Sequence, residues 1–250
     1  MARIHAKSVA HYVDEFDFSG VSNVCTIDVT NALVDITAFA DTDMTYLEGK
    51  PGFTASIGGL LDPASGGYDI EMFADLTTVD RQLGIYQDTV AGSFGYEGLT
   101  NPGDQARAST IGEAITLDVN WRGDNALNRS IILYTATAIS STATGTKYQQ
   151  GAIGASQRGV AVLRLLAAPS GSGSNDLVVT IESDANASAG GETTRATFTT
   201  LNQTSTATYE VQEITATVTD TYWRAVATVS GGGSRAFSIV IAFGVREYND

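Results

Sequence analysis

Two extended runs with alternating apolar and polar positions shape the first sixty residues. The first covers residues 34–39, less regularly toward Phe39, and the second covers residues 53–58. A period of two is typical of strands that are buried on one face. Between the runs lies a polar connector, residues 40–50, and Pro51-Gly52 then turns the chain. The pattern predicts two strands joined by a long acidic loop that projects from the fold.

Further short extended runs follow along the chain, separated by turn residues. Asn101–Asp104 is a strong turn signal, and the loop 123–126 predicts that the strands on either side of it pair antiparallel. The last two runs are predicted to form a core hairpin. The regular spacing of the later runs favours a β-sandwich. The predicted strands are 21–29, 83–86, 93–96, 114–121, 129–139, 160–168, 177–181, 195–200, 209–217, 222–229 and 236–243.

One window, Tyr68–Thr77, predicts a short helix. Its apolar residues Ile70, Phe73 and Leu76 recur at intervals of three, which would place them on one face against a sheet. Asp69 is a candidate cap, and acidic residues favour the positive end of a helix. The predicted fold class is therefore mainly β with one short helix, built from a sandwich or barrel and a second, C-terminal β-sandwich.

The domain division is predicted at residues 140–158, where Thr, Ser, Gly and Gln dominate and periodicity vanishes. It gives a first domain, 1–158, with an N-terminal arm over Met1–Phe18, and a C-terminal β-sandwich, 159–250. The same stretch is equally consistent with a surface loop inside one domain. Terminal segments are usually frayed unless another element holds them.

The chain is strongly acidic, with a formal net charge of −14 from 28 acidic and 14 basic residues. Such a field disfavours binding to phosphate backbones, which depends on Lys and Arg. The acid either aids solubility or forms a surface that repels DNA as it slides past. No apolar run reaches the length needed to span a bilayer, so no membrane contact is expected.

The inventory of reactive residues does not favour an enzyme. Both histidines, His5 and His11, lie in the predicted arm, away from any predicted cleft. A metal site formed by these with Asp14 and Asp17 lacks any regular ligand spacing. The single Cys25 is expected to be a small buried residue. We therefore expect no catalytic residues, no cofactor and no bound metal.

Three short motifs around the predicted loop carry a family resemblance. They are Asp35-Ile-Thr-Ala-Phe-Ala-Asp41, Tyr46-Leu-Glu-Gly49 and Gly58-Gly-Leu-Leu-Asp62. In this order they resemble the tail tube (major tail) proteins of long-tailed bacteriophages, in which similar motifs flank the long loop. The sequence departs from that pattern at Ala40, where Gly is usual, and at Leu60-Leu61, where aromatic residues are usual.

The resemblance implies a non-enzymatic virion protein that polymerises into stacked, hexameric rings around a conduit for DNA. Its partners would be copies of itself, the tape measure protein and other tail proteins, with assembly in the host cytoplasm. The acidic residues Asp28, Asp35 and Asp118, each within a strand-like run, are candidates to line the lumen. The inter-subunit contact is expected from the loop residues Asp41, Thr42, Asp43, Met44, Thr45, Tyr46, Leu47 and Glu48.

The C-terminal half resembles a β-sandwich segment attached to many phage virion proteins. Its marks are Tyr222-Trp-Arg224 and the closing run from Phe237 to Arg246. Because such segments occur on several virion components, a capsid decoration or fibre-base protein is an alternative. A carbohydrate-binding adhesion module is the alternative from a different class, because aromatic residues beside a basic one can stack on sugars.

Overall fold

The computed structural model describes residues 9–38, 42–64, 66–75, 80–124, 127–188 and 190–247. Within them the chain forms sixteen strands and one helix, which confirms the mainly β fold. The elements are β1 Ala10–Val13, β2 Phe16–Asp17, β3 Ser22–Asp35, β4 Tyr46–Leu60, α1 Tyr68–Asp75, β5 Arg81–Tyr86, β6 Phe94–Ala108, β7 Thr116–Gly123, β8 Asn128–Ile139, β9 Ala143–Thr144, β10 Tyr148–Gln149, β11 Gln157–Leu165, β12 Asp176–Asp184, β13 Thr193–Thr197, β14 Thr208–Ile214, β15 Tyr222–Ser230 and β16 Phe237–Glu247.

The chain divides into two compact units that are not consecutive halves. Unit 1 contains Met1–Gly20, Gln82–Glu97 and Asn128–Tyr248, and unit 2 contains Val21–Arg81 and Gly98–Leu127. The division predicted near residue 158 falls inside unit 1. There β16 pairs with β8 on one side and with β11 on the other, so strands from before and after residue 158 share one sheet.

Unit 1 contains a sandwich of two antiparallel sheets. One sheet includes the order β14-β11-β16-β8, and the other has the order β10-β15-β12-β13 with β9 also on β15. Their inner faces share a large apolar core in which the rings of Trp223 and Phe243 stack with centroids 4.2 Å apart. The predicted hairpin of the last two strands is therefore wrong, because β15 and β16 face each other from opposite sheets.

The central strand β16 is buried on both faces. Phe237, Ile239 and Ile241 point into the sandwich core, whereas Val240 and Ala242 pack in a second cluster with residues of β1, β5 and β8. In this cluster β1 lies antiparallel to β5, with Tyr12 buried. The described part of the predicted N-terminal arm is thus part of the core of unit 1, because its apolar residues find a face of β16 to cover.

A buried ion pair joins the strands of unit 1. The Arg164 guanidinium lies 2.6 Å and 3.0 Å from the two carboxylate oxygens of Glu97, and both side chains are almost completely buried. Gln82 Nε2 and the Tyr86 hydroxyl donate to the same carboxylate, and Arg164 Nε donates to the Asp14 carbonyl oxygen. Every charge in the cluster is therefore paired and hydrogen-bonded, as burial requires.

The approach of this pair to the backbone requires glycine at position 84. A Cβ atom built there would lie 2.6 Å from Glu97 Oε1 and 3.0 Å from Arg164 Nη2. Both atoms are buried and held by several hydrogen bonds, so neither can move aside cheaply. The sequence Leu-Gly-Ile in β5 thus leaves the space that the ion pair fills.

The completely buried His11 should make the stability of unit 1 depend on pH. Burial, together with the nearby Arg164 charge, lowers the pKa of His11 to about 3, against about 6.5 in an unfolded chain. Between these values the unfolded chain binds a proton that the folded chain excludes, so stability present above pH 6.5 is lost as the pH falls. We expect the free energy of unfolding to drop by about 2 kcal/mol between pH 7 and pH 5.

Urea unfolding at both pH values checks this expectation in the natural protein and in His11→Gln. Carboxylates that titrate near pH 5 contribute equally to both proteins, so the difference between the two pH dependences isolates residue 11. An equal loss in the variant would contradict the assignment to His11.

Two glycine- and serine-rich connectors in unit 1 hold each other in place. The connector before β12 donates from Ser174 N to Gly232 O, and the connector before β16 donates from Ser234 N to Ser172 O. Gly173 and Gly233 face each other with positive φ angles, and a Cβ at either would lie within 2.6 Å of the other's Cα. Their low-complexity composition therefore serves close backbone contact.

Unit 2 is built on an amphipathic sheet in the order β3-β4-β7-β6. One face is apolar, with Phe53, Ala55 and Ile57 of β4 beside three buried residues of β7. The helix α1 contributes buried Tyr68 and Met72, and the Tyr68 hydroxyl donates to Ile57 O at 3.1 Å. The alternation read from residues 53–58 is therefore confirmed.

Three predictions for unit 2 need correction. The turn expected at Asn101–Asp104 is an irregularity inside β6, where the register shifts between Pro102 and Gln105. In the described residues β7 pairs with β4 and β6, so it does not form the expected pair with β8. In α1 Ile70 and Phe73, which were predicted to pack against a sheet, are exposed, and Leu76 lies outside the described residues. Asp69 lies within the helix and pairs with Arg107 instead of capping it.

Candidate assembly surface

The second face of the unit 2 sheet is exposed and mostly polar, apart from the exposed apolar residues Val24 and Leu60. Side chains that share this face come from neighbouring strands in register, because β3, β4 and β7 are aligned side by side. Asp28 of β3 pairs with Thr54 of β4, which in turn pairs with Arg122 of β7. In the same way Thr26 pairs with Ser56, which pairs with Asn120. These residues are exposed or half-buried. The face is open to solvent and carries charge of both signs.

Asp118 lies on this same polar face. It pairs with Gly58, and its carboxylate oxygen occupies the space that a Cβ at residue 58 would need, at 2.2 Å. Asp28 and Asp118 outnumber the one arginine in register with them on this face, Arg122. An excess of acid at close spacing repels phosphate groups and leaves no cationic row along which a nucleic acid backbone could bind.

The three candidate lumen residues are therefore not equivalent. The structure brings Asp28 and Asp118 onto one face, two strands apart. Asp35 lies at the end of β3, where its carboxylate accepts hydrogen bonds from the backbone N–H and hydroxyl of Thr37 at 2.9 Å and 2.6 Å. These bonds lower the pKa of Asp35, and through them the carboxylate stabilises the local turn. That any of the three lines a lumen stays a prediction.

Beyond the sheet, β3 and β4 continue as a two-stranded ribbon. β4 pairs with β7 only from Thr54 to Leu60, whereas its pairing with β3 extends to Asp35 and Tyr46. Within the described chain, residues 29–35 and 46–53 thus pair only with each other. An isolated two-stranded hairpin is at best marginally stable in water, so a partner that covers it would stabilise it.

The connector lies earlier in the chain than predicted, because β3 ends at Asp35 and β4 begins at Tyr46. The turn predicted at Pro51-Gly52 is wrong, since both residues lie within β4. Asp41 lies outside the described residues, and Thr42, Asp43, Met44 and Thr45 form the exposed end of the ribbon. Tyr46, Leu47 and Glu48 belong to β4.

One backbone hydrogen bond and one from the backbone to a side chain close the described sides of this end. Ile36 N donates to Thr45 O at 2.9 Å, and Thr45 N donates to the Thr37 hydroxyl at 2.9 Å. The ribbon therefore keeps its register past the last residue of β3.

The ribbon exposes large apolar side chains, which the sequence analysis missed. Met44 is 73% exposed and Val29 is 62% exposed. We call the set the apolar ribbon: Val29, Leu33, Ile36, Met44, Tyr46 and Leu47. The register places Leu33 and Tyr46 on one face of the ribbon and Leu47 on the other, so both faces expose apolar side chains. Exposed apolar patches mark interaction surfaces in soluble proteins. In the sequence the signal is the length of the run 24–36, because it extends beyond the part of the sheet in which β4 also pairs with β7.

Cys25, which was predicted to be buried, is half-buried, and burial raises the pKa of its thiol to about 11. Among the described residues no group of three or more His, Cys, Asp or Glu side chains could hold a metal ion. In the same part of the chain no helix has the length and apolar character to cross a membrane.

Comparison with known proteins gives remote structural similarities. No protein family and no curated protein matches the sequence. A chain of the native gene transfer agent virion is similar over 51% of this chain and 98% of its own, with TM-score 0.41 and 12% identity. A chain of the empty gene transfer agent tail, solved with C6 symmetry, is similar over the same shares, with TM-score 0.37 and 16% identity. The SPP1 Dit hub adsorption protein is similar over 96% of this chain and 100% of its own, with TM-score 0.38 and 8% identity.

Proposed function

We propose that this chain is a tail tube subunit of a phage-type virion, which polymerises into stacked rings around a conduit for DNA. The observation that carries the proposal is the amphipathic sheet of unit 2, whose uncovered face is polar with an excess of aspartate. The motif resemblance between residues 35 and 62 supports the same reading. The protein performs no chemistry, and its work is assembly.

In this proposal the unit 2 sheets of neighbouring subunits join edge to edge into a closed barrel. Closure satisfies the free backbone groups of the edge strands and leaves the polar face toward the lumen. The face that contains Asp28 and Asp118 then repels the phosphates of passing DNA, so the DNA slides without binding. The ribbon contacts a neighbouring subunit. Hexameric symmetry and contacts with the tape measure protein belong to the proposal through the motif resemblance.

Electron microscopy of the purified protein at high concentration tests the proposed function. We expect rings that stack into tubes with an open lumen. Monomers without any ring or tube, at concentrations at which virion proteins assemble, would contradict the proposal.

Charge reversal on the polar face should turn a DNA-repelling tube into a DNA-binding one. We expect tubes of Asp28→Lys/Asp118→Lys to retain short duplex DNA at low ionic strength about tenfold more than natural tubes, because each new lysine can replace a phosphate counterion. Retention should fall again in high salt, which screens the charges. Sedimentation of tubes with labelled DNA measures the effect.

The matched control is Glu113→Lys/Asp124→Lys, two exposed acidic residues outside strands β3, β4, β6 and β7. It changes the charge of each subunit by the same amount. Equal DNA retention by the two variants would show that the polar face does not line the lumen.

A groove in unit 1 gives a second candidate function, carbohydrate binding. The groove has a volume of about 430 Å³ and an apolar floor with Leu163, Leu165 and Leu201. Its walls carry hydroxyl groups and one carboxylate, from Thr199, Thr200, Thr204, Ser205, Thr206, Thr208, Tyr209 and Glu210. The hydroxyl groups and the carboxylate can hydrogen-bond to the hydroxyl groups of a sugar. Binding of the monomer to a glycan array, without tube formation, would favour this function.

A further inference from the structure

The outward side of α1 forms a second exposed apolar surface in unit 2. While Tyr68 and Met72 are buried, Phe73 is 63% exposed and Ile70 is 47% exposed. These two residues line an open groove of about 510 Å³, which we call the α1 groove: Asp69, Ile70, Phe73, Ala74 and Arg107. An apolar groove can accept apolar side chains of a partner.

The groove is held in shape by Arg107 of β6. Its guanidinium lies over the Phe73 ring, 5.5 Å from the centroid, and its Nε donates to Asp69 Oδ1 at 2.7 Å. These contacts fix the floor of the groove and place a cation at its rim. A groove whose side chains are already ordered loses less conformational entropy when a partner binds.

The charge of the chain restricts which partner suits this groove. Copies with a net charge of −14 repel each other in general, so a contact between them must be apolar and must bring a cation to any acid that it buries. The apolar ribbon carries the exposed acids Asp35 and Asp43, and the groove carries Arg107. Arginine has five N–H donors, of which Nε serves Asp69, so its fork suits a second carboxylate.

We propose that the apolar ribbon of one copy docks into the α1 groove of a second copy. Ribbon and groove are different surfaces, so the contact is heterologous: each copy gives a ribbon to one neighbour and a groove to another. Such contacts repeat until they close into a ring or continue as a filament. The inference rests on the proposed function and names a second contact between its subunits, without which the joined sheet edges do not hold neighbouring copies together.

Two complementary variants test the direction of the contact. The ribbon variant is Met44→Asp/Leu47→Asp, and the groove variant is Ile70→Asp/Phe73→Asp. All four residues are exposed, so both variants should fold. Each variant alone should be monomeric at concentrations at which the natural protein assembles. Mixed in equal amounts, they should form 1:1 heterodimers and nothing larger, because the mixture holds only one intact ribbon–groove pair per two chains.

Analytical ultracentrifugation measures which species are present. The control is Ile111→Asp, which changes a fully exposed apolar residue of unit 2 outside both surfaces and should assemble normally. A monomeric mixture would overturn the proposal. Self-association of the groove variant alone would overturn it too, because ribbons would then pair with ribbons.

Micrographs of the natural protein separate the failure of this contact from that of the proposed function. If the mixture forms heterodimers but the natural protein forms no tubes, the ribbon–groove contact is supported and the tail tube function is contradicted. Natural tubes with a monomeric mixture would remove the contact alone.

Discussion

Replacement of Arg164 by Met should lower the free energy of unfolding by about 3–5 kcal/mol, because it leaves the Glu97 carboxylate buried without a counter-charge. A loss of this size is a large part of the total stability of a domain, which is about 5–15 kcal/mol. Removal of both charges, in Arg164→Met/Glu97→Gln, should recover much of the loss, since Gln82 and Tyr86 can still donate to the amide oxygen. Urea unfolding followed by circular dichroism measures all three proteins.

The exposed pair Arg107–Asp69 provides the control. Arg107→Met removes the same charge at a side chain that is 36% exposed, and exposed pairs contribute about 0–1 kcal/mol. An equal cost at both positions would mean that Arg164 stabilises the fold by its packing alone. A double variant less stable than Arg164→Met would contradict the account of an uncompensated charge.

A chain that ends at Arg158 should fail to fold as unit 1. It lacks β16, which pairs with both β8 and β11 and fills two apolar clusters. Without β16, one edge of β8 and the apolar faces that β16 covers are exposed to water. We expect no cooperative unfolding transition and strong binding of hydrophobic dyes. A chain that ends at Glu247 is the control and should behave like the full chain.

This truncation also decides between two divisions of the chain. The composition of residues 140–158 favours a boundary there, whereas the compact units run through it. Cooperative unfolding of the shortened chain would favour the division at residue 158. Its absence would show that strands from both halves depend on one core.

The local alternation of apolar residues was sufficient to locate most strands of the chain. Residues 53–58 and 117–121 bury every second side chain as their sequence indicates, and the runs after residue 159 all contain a strand. Such positions are predictable because a strand with one buried face leaves its period in the sequence. The helix α1 begins at Tyr68 as expected.

Pairing partners were not predictable in the same way. The short loop before β8 suggested a hairpin with β7, and the loop before β16 suggested a hairpin with β15, yet neither pair forms in the described residues. Loop length limits how far apart two strand ends lie, but not which sheet each strand joins. In unit 1 the strand β16 joins the sheet opposite β15, and apolar residues of both strands fill the core between the two sheets.

Single charged residues with distant partners leave no periodic signal. Lys147 lies in the stretch that resembled a linker, yet its ammonium pairs with Asp184 and lies 3.0 Å from Glu192 Oε1. Arg164 and Glu97 are 67 residues apart.

For the candidate surface, Asp28 and Asp118 were identified because a charge in a strand needs water. The apolar ribbon was not identified, because in a sequence an exposed apolar residue cannot be distinguished from a core residue.

The contact between Gly173 and Gly233 implies an unusual pattern of mutational tolerance. In a saturation scan, a stretch of glycine and serine is ordinarily the place where any substitution survives. Here the two glycines should be among the positions at which substitutions are most strongly depleted. The neighbouring Gly232, whose Cβ would meet open space, should accept small residues freely. Homologous sequences should accordingly keep positions 173 and 233 as a pair, and a peptide inserted into either connector should open the other.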